Sequence, residues 1–313
     1  MKKIPLLIDC DTGVDDAVAI VCALQYKEVF DIKAITAVAG NVPLEYTAKN
    51  SLNLVDMLGR NDIPVAKGAD KPLTRELKRA ISHGNTGLGD VVIPNSSRAF
   101  TQESASELIY KCACENEGEL VILATGPQTN MAIALKAYPD LASKIKKVYI
   151  MGGSLIGGNM TQAAEFNAFV DPEAMKILFE AGIETVMVGL DITLQLSLPH
   201  DIQEQLESID SKAARFVHDI FDFNIRYNTE MGWDDPAIHD VAAFCSMVAP
   251  ELFTTVKHYV DVETEGTITR GMTVADFRNV CPDKEKNVIC ATDIDVDGFW
   301  KWFIETIRRS SES

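Results

Sequence analysis

Apolar residues along this chain switch repeatedly between two spacings. Compact apolar runs, IPLLI (4 to 8), DIKAITAVAG (31 to 40), ELVILATG (119 to 126), KKVYIMGG (146 to 153) and ETVMVGLDIT (184 to 193), predict strands. Between them, DDAVAIVCALQY (15 to 26), PLEYTAKNSLNLVDMLG (43 to 59) and TNMAIALKAYP (129 to 139) carry the three-to-four spacing of helices. Such alternation predicts an α/β fold with a mostly parallel central sheet flanked by helices. Pro43 and Pro172 fall where a first helical turn would begin, and Gly59 and Gly182 follow the ends of periodic stretches. From about Leu198 the pattern changes to long helical segments such as SKAARFVHDIFDFNIRYNTE (211 to 230). Strand-like FTTVKHYVDVETEG (253 to 266) and NVICATDID (287 to 295) follow. No low-complexity linker or fixed-period repeat separates these parts, so residues 1 to 313 read as one continuous domain.

Charge narrows the partners. The 46 acidic residues against 29 basic give a formal net charge of -17, and no Lys/Arg stripe is present to track phosphates, which excludes a nucleic acid polymer as partner. The opening MKKIPLLIDC is too short an apolar run for a signal peptide and no later run is long enough for a membrane span, so a cytoplasmic protein is expected. The seven cysteines include no C-x-x-C pair and lie mostly in apolar segments, as reduced core residues do.

In an open parallel sheet, ligands bind beyond the carboxyl ends of the strands. Five predicted strands end in unusual chemistry there: Asp9 and Asp11; Gly40-Asn41; Thr125-Gly126-Pro127; Met151-Gly152-Gly153; and Asp191. The first is the densest, since IDCDTGVDDAV (8 to 18) places Asp9, Asp11, Asp15 and Asp16 within eight residues. Helix capping by Asp15 and a favourable position for Asp16 at the helix's positive end explain half of that cluster. They leave Asp9 and Asp11 unexplained. Neighbouring carboxylates repel unless a cation neutralises them, and an all-oxygen set suits Ca²⁺ or Mg²⁺ rather than zinc. An EF-hand is excluded, because counting from Asp9 places Val14 where its loop needs glycine and Ile20 where it needs glutamate. The aspartate motif of haloacid-dehalogenase-type phosphatases fits poorly, with Gly13 at its usual Thr/Val position.

Other stretches add polar groups. SHGNTGLGD (82 to 90) sets His83 among glycines, the composition of a mobile loop at a site's mouth. GGNMTQAAEFNAFVDPEA (157 to 174) offers Asn159, Glu165 and Asn167 around Phe166, and WDDPAIHDVAAF (233 to 244) places His239-Asp240 at the head of an apolar helix. Turn and cap chemistry accounts for any of these singly. A dinucleotide fingerprint, a P-loop and a serine-hydrolase elbow are all missing.

Taken together and in order, DCDTGVDDA, AVAGN, HGNTGLG, ATGPQTN, MGG, AAEFN and the late HD resemble the nucleoside hydrolase family, also called inosine-uridine preferring nucleoside N-ribohydrolases. The resemblance runs from the first strand to residue 240. It implies a single Rossmann-related α/β domain that binds Ca²⁺ at the base of a deep pocket, hydrolyses ribonucleosides to ribose and a free base in nucleoside catabolism and salvage, and assembles as a homodimer or homotetramer. By motif, Asp11, Asp16 and Asp240 would be calcium ligands with the backbone carbonyl of Thr125, and Asp11 would also be general base towards a metal-held water. Asp15, Asn41, Asn159, Glu165 and Asn167 match ribose-holding residues, with Met151 and Phe166 beside them. His239 matches the histidine that assists departure of the base, and His83 one close to the ribose 5′-hydroxyl or the base. Asp9 would support the cluster. Thr12 and Val241 stand where the family usually has proline, which bears on loop stiffness near the metal rather than on the ligands.

The chemistry agrees with those roles. Breaking an N-glycosidic bond develops positive charge on the ribose, which a carboxylate-rich pocket stabilises more than it does the neutral substrate. Two other readings compete: a catalytically silent nucleoside- or ribose-binding protein, and a metal-dependent phosphatase. The second calls for basic residues near the aspartates, whereas residues 9 to 26 contain no Lys or Arg. Tyr227 and Trp233 lie near the late His-Asp and are candidates to stack on the base, without separating purine from pyrimidine.

Overall fold

The computed structural model describes residues 2–311. Ten strands form: β1 (Ile4–Cys10), β2 (Phe30–Ala37), β3 (Val65–Lys67), β4 (Leu120–Ala124), β5 (Ile145–Met151), β6 (Thr185–Val188), β7 (Phe253–His258), β8 (Val260–Val262), β9 (Thr273–Ala275) and β10 (Val288–Ile294). Eight of them make one sheet in the order β3-β2-β1-β4-β5-β6-β10-β7. All neighbours in it are parallel except β10 and β7. The sheet therefore carries strands from both ends of the chain.

Eleven α-helices accompany it: α1 (Val14–Leu24), α2 (Leu44–Met57), α3 (Ala105–Glu115), α4 (Thr129–Ala137), α5 (Phe166–Val170), α6 (Pro172–Glu180), α7 (Leu190–Thr193), α8 (Ile202–Glu207), α9 (Lys212–Met231), α10 (Asp240–Val248) and α11 (Val296–Arg308). The period-two geometry of the strands divides the core between the two faces. Leu6, Ile8 and Cys10 of β1 join Val121 and Leu123 of β4 in a cluster covered by α1, α2, α9, α10 and α11. Leu7, Leu120, Ile122 and Ala124 pack on the other face with α3, α4 and α6.

Four segments depart from the sequence pattern. The run ETVMVGLDIT ends as a strand at Val188, because extended Gly189 caps the short helix α7 instead. FTTVKHYVDVETEG divides: β7 pairs with β10 at the edge of the main sheet, whereas β8 pairs with β9 in a separate ribbon. The helices α3 and α11 fall outside the predicted alternation, although Ser104 and Glu107 close a reciprocal capping box at the start of α3.

What positions the site is the strand order. The chain leaves β1 towards β2 and β3 on one side and returns to β4 on the other, so the crevice where ligands bind in doubly wound sheets opens between β1 and β4. Asp9, near the end of β1, pairs in register with Thr36 on β2 and Ala124 on β4.

Candidate active site

Four of the five predicted strand ends meet this crevice, and the fifth, at Asp191, does not. Asp9, Asp11, Asp16, Asn41, Thr125, Glu165, Asn167 and Asp240 are all buried there, and Met151 is buried at the end of β5. Asp16, in the first turn of α1, accepts from the Gly13 amide (2.9 Å) and the Asn41 side-chain amide (3.1 Å) with one oxygen and from the Thr125 hydroxyl (2.7 Å) with the other. It is thus Asp16, not Asp15, that caps α1. Asp11 accepts the Asn41 backbone amide at 2.7 Å. A Cβ on Gly40 would fall 2.1 Å from Asp11 Oδ2, so a glycine is what lets β2's following turn approach this carboxylate.

Behind them, Asp9 Oδ1 accepts from Thr36 (2.6 Å) and from the Asn130 side-chain amide (2.7 Å) while its Oδ2 is buried without a partner. The loop after β5 completes the wall. Glu165 caps α5 by accepting from the Gly153, Asn167 and Ala168 amides at 2.9 to 3.0 Å. The Asn167 side-chain amide then donates to the Thr125 carbonyl (2.7 Å) and the Met151 carbonyl (3.2 Å), leaving Asn167 Oδ1 buried and free.

Both predicted histidines arrive from distant segments. His83 is buried rather than exposed on a loop, and its Nδ1 accepts the Val14 amide at 3.2 Å, so the neutral ring carries its proton on Nε2. The same Nδ1 lies 3.9 Å from Asp15. His239, half-buried, holds a 2.7 Å hydrogen bond through Nδ1 to Thr193 Oγ1. Burial lowers the pKa of both rings, against the opposing charge of Asp15.

The acids carry the electrostatic signature of a site. Burial pushes Asp9 up to about 6 and Glu165 up to about 7. Burial first and like charge second raise Asp11, Asp16 and Asp240 as well. Among the described residues, no Lys or Arg forms an ion pair with any of them. Carboxylate oxygens of Asp15, Asp16 and Asp240 lie within 4.8 Å of one another, and Asp15 Oδ1 is buried with no hydrogen-bond partner. Such a donor set, all oxygen and uncompensated, fits a hard divalent cation. Asp11 stands outside this tightest triplet while interacting with Asp16 and Asp240 through charge.

Other predicted residues sit apart. Asn159 is exposed and accepts the amide of half-buried Phe166 at 3.0 Å. Tyr227 stacks on Phe223 and meets Trp233 edge-on at 5.9 Å, and its hydroxyl donates to the Ile81 carbonyl at 2.9 Å, which ties Tyr227 to the segment just before His83. Asp191 does not join the crevice: it accepts the Leu155 amide at 2.9 Å and fixes the loop after β5. Thr193 and Asn130, which orient His239 and Asp9, were not singled out from the sequence, since their partners lie 46 and 121 residues away. At the family's two proline positions, the Thr12 hydroxyl bonds Ser51 Oγ at 2.6 Å and its carbonyl accepts from Asn50, whereas Val241 is fully buried in the first turn of α10, so hydrogen bonds hold the first position and helix packing the second.

A switch-point crevice holding buried acids, amides and two histidines defines an α/β enzyme with a divalent-cation type of pocket. Comparison with known proteins gives the family. The model for the inosine-uridine preferring nucleoside hydrolases matches residues 6–301. A pyrimidine-specific ribonucleoside hydrolase RihA from Escherichia coli O81 (strain ED1a) is 43% identical over 299 residues, covering 95% of this chain and 96% of the relative. Among solved structures, a purine-preferring ribonucleoside hydrolase from Gardnerella vaginalis is 35% identical with a TM-score of 0.91, covering 98% of this chain and 99% of its own. The plant nucleoside hydrolase PpNRh1 is 32% identical with a TM-score of 0.92 over the same shares. The chain belongs to the inosine-uridine preferring nucleoside hydrolase family and is an N-ribohydrolase. Among the described residues, no helix is long and apolar enough to cross a membrane.

Proposed function

We propose that the chain hydrolyses ribonucleosides with a Ca²⁺ ion held by Asp11, Asp16, Asp240 and the carbonyl of Thr125. The observation that carries this reading is the crowding of the Asp15, Asp16 and Asp240 carboxylates within 4.8 Å of one another with no cationic side chain to neutralise them. When bound, such an ion supplies the positive charge that keeps these acids ionised and makes a neighbouring water easier to deprotonate.

Asp11 then takes the proton of the attacking water as general base. Asn41 holds the geometry by donating its backbone amide to Asp11 and its side-chain amide to Asp16. The free oxygens of Asp15 and Asn167 receive ribose hydroxyls, with Asn41, Glu165, His83, Met151 and Phe166 lining the same sugar subsite and exposed Asn159 acting through the Phe166 amide it accepts. As the bond to the base breaks, the surrounding acids stabilise the cationic ribose more than the neutral substrate. His239, oriented through Thr193, delivers a proton to the departing base, and its lowered pKa makes the protonated ring a stronger acid. Tyr227 and Trp233 cover the base.

The 43% identical relatives are named for pyrimidine specificity and the 35% identical structure for purine preference. The greater identity favours pyrimidine ribonucleosides as substrates here. The family likeness also supports assembly as a homodimer or homotetramer in the cytoplasm, the former measurable by light scattering. Reducing-sugar release from uridine, cytidine, inosine and adenosine, beside their 2′-deoxy forms, tests the reading. Uridine and cytidine should be cleaved fastest and the deoxy forms slowest. Equal turnover of ribo and deoxy substrates would remove the ribose-hydroxyl roles, and faster cleavage of inosine would reverse the base preference.

A further inference from the structure

In a chain of net charge -17, the described residues hold a cleft of opposite character. It measures about 300 Å³ and is lined by Thr74, Arg75, Lys78, Phe169 and Arg270, with the exposed Glu76 also on its wall. Three segments build it: the long connection after β3, the end of α5, and the turn between β8 and β9. None of its residues belongs to the acid pocket, and the inference does not rest on the function proposed above.

Arg75 is already neutralised. Its Nε donates to Glu173 at 3.1 Å, and its terminal nitrogen binds Glu173 again together with the Thr264 carbonyl. Arg270 is not. Its guanidinium lies over the Phe169 ring, 4.1 Å from the centroid, and its Nε is buried without a hydrogen-bond acceptor. Among the described residues it makes no salt bridge. Burial and the neighbouring Arg75 both disfavour its charge, and Glu173 opposes them only from a distance. The turn is nonetheless fixed: the Arg270 amide donates to Gly266 and the Gly271 amide to Glu263 at 2.7 Å, and Gly271, at φ +82, packs against the Phe169 backbone. A rigidly mounted arginine on the wall of a cleft, with no ion pair and an Nε–H left unanswered, is an acceptor-binding group lacking its acceptor.

We propose that this cleft binds a small tetrahedral oxyanion of the phosphate or sulfate class. Two oxygens of such an ion can take the terminal N–H groups of Arg270 as a fork, while a third faces the Lys78 ammonium and the Thr74 hydroxyl that line the same cleft. A planar carboxylate presents both oxygens to one side and satisfies only the fork. Glu76 on the same wall is exposed and, among the described residues, makes no ion pair, so solvent screens its charge.

Calorimetric titration of sodium sulfate into the full chain in dilute chloride buffer tests this, with inorganic phosphate as second probe in calcium-free buffer. One saturable site per chain is expected. Arg270→Met keeps the stem over Phe169 and removes the fork, so binding should weaken by about tenfold or more, with Arg270→Lys recovering part of it. Lys78→Ala, at an exposed position that folding does not need, should weaken binding a few-fold and keeps the test open if Arg270→Met does not fold. An absence of saturable binding to the wild-type chain would overturn the proposal. So would unchanged binding in folded Arg270→Met, which places the ion elsewhere.

Discussion

Two buried acids stand near the starts of helices and are treated oppositely. Asp171 caps α6 with every oxygen used: Oδ1 accepts the Ala174 amide at 3.1 Å, and Oδ2 accepts the Leu73 amide at 2.8 Å and the Thr129 hydroxyl at 2.7 Å. Around α1 and α10, by contrast, Asp15 Oδ1 and Asp9 Oδ2 are buried with no partner, and Asp15, Asp16 and Asp240 crowd together without a counter-charge. Burial raises the pKa in both regions. Burial alone therefore does not mark a site. The mark is a cluster of acids crowded without a counter-charge and with buried oxygen to spare at Asp15 and Asp9, even though Asp16 itself accepts three protein hydrogen bonds as Asp171 does.

The sharpest way to break this contrast is to remove an acid from each region. Asp11→Ala should fold and lose sugar release by about three orders of magnitude or more; near-normal turnover of uridine would end its role as base. His239→Ala should lower kcat by about 10² to 10⁴, and Thr193→Val, which only frees the ring, by about tenfold with a displaced pH profile. Stability should move the other way. Asp171→Ala should cost about 1 to 3 kcal/mol in denaturant unfolding because it strands buried donors. Asp240→Asn should instead raise the melting temperature of cation-free protein by relieving like-charge repulsion.

The pH dependence of cation-free stability follows from the same shifts. Asp9, raised to about 6, and Glu165, raised to about 7, hold protons in the folded chain that the unfolded chain has already released at pH 4 to 5. The folded state thus binds more protons, and stability falls as pH rises from about 4 through 7. Thermal melts with and without Ca²⁺ measure it: the ion should flatten the decline, and stability that rises with pH without the ion would contradict the burial account. The smallest effect is expected from Trp233→Ala, a rise in KM of about two- to tenfold, because that ring touches Tyr227 rather than the acids.

Much of the architecture was legible because strand and helix periods differ and because the motifs close on themselves locally. IDCDTGVDDAV announced both β1 and its acids, and the switch point between β1 and β4 follows from the parallel alternation. Long-range pairings were not legible. Nothing near His83 indicates that its Nδ1 would accept the Val14 amide 69 residues away, so a glycine-rich stretch suggested a mobile loop where a buried ring sits. Likewise Asp191 ends an apolar run as Asp9 does, but extended Gly189 turns the chain into α7 and directs that carboxylate to Leu155. Local pattern gave the strand ends; tertiary contact decided which of them share a pocket.

Calcium binding to chelator-stripped protein, followed by calorimetry, tests the central claim most directly. One ion per chain, binding lost in Asp240→Asn, and sugar release restored in proportion to occupancy are the predicted results. Full turnover of uridine in excess chelator, with no calcium bound, would contradict it.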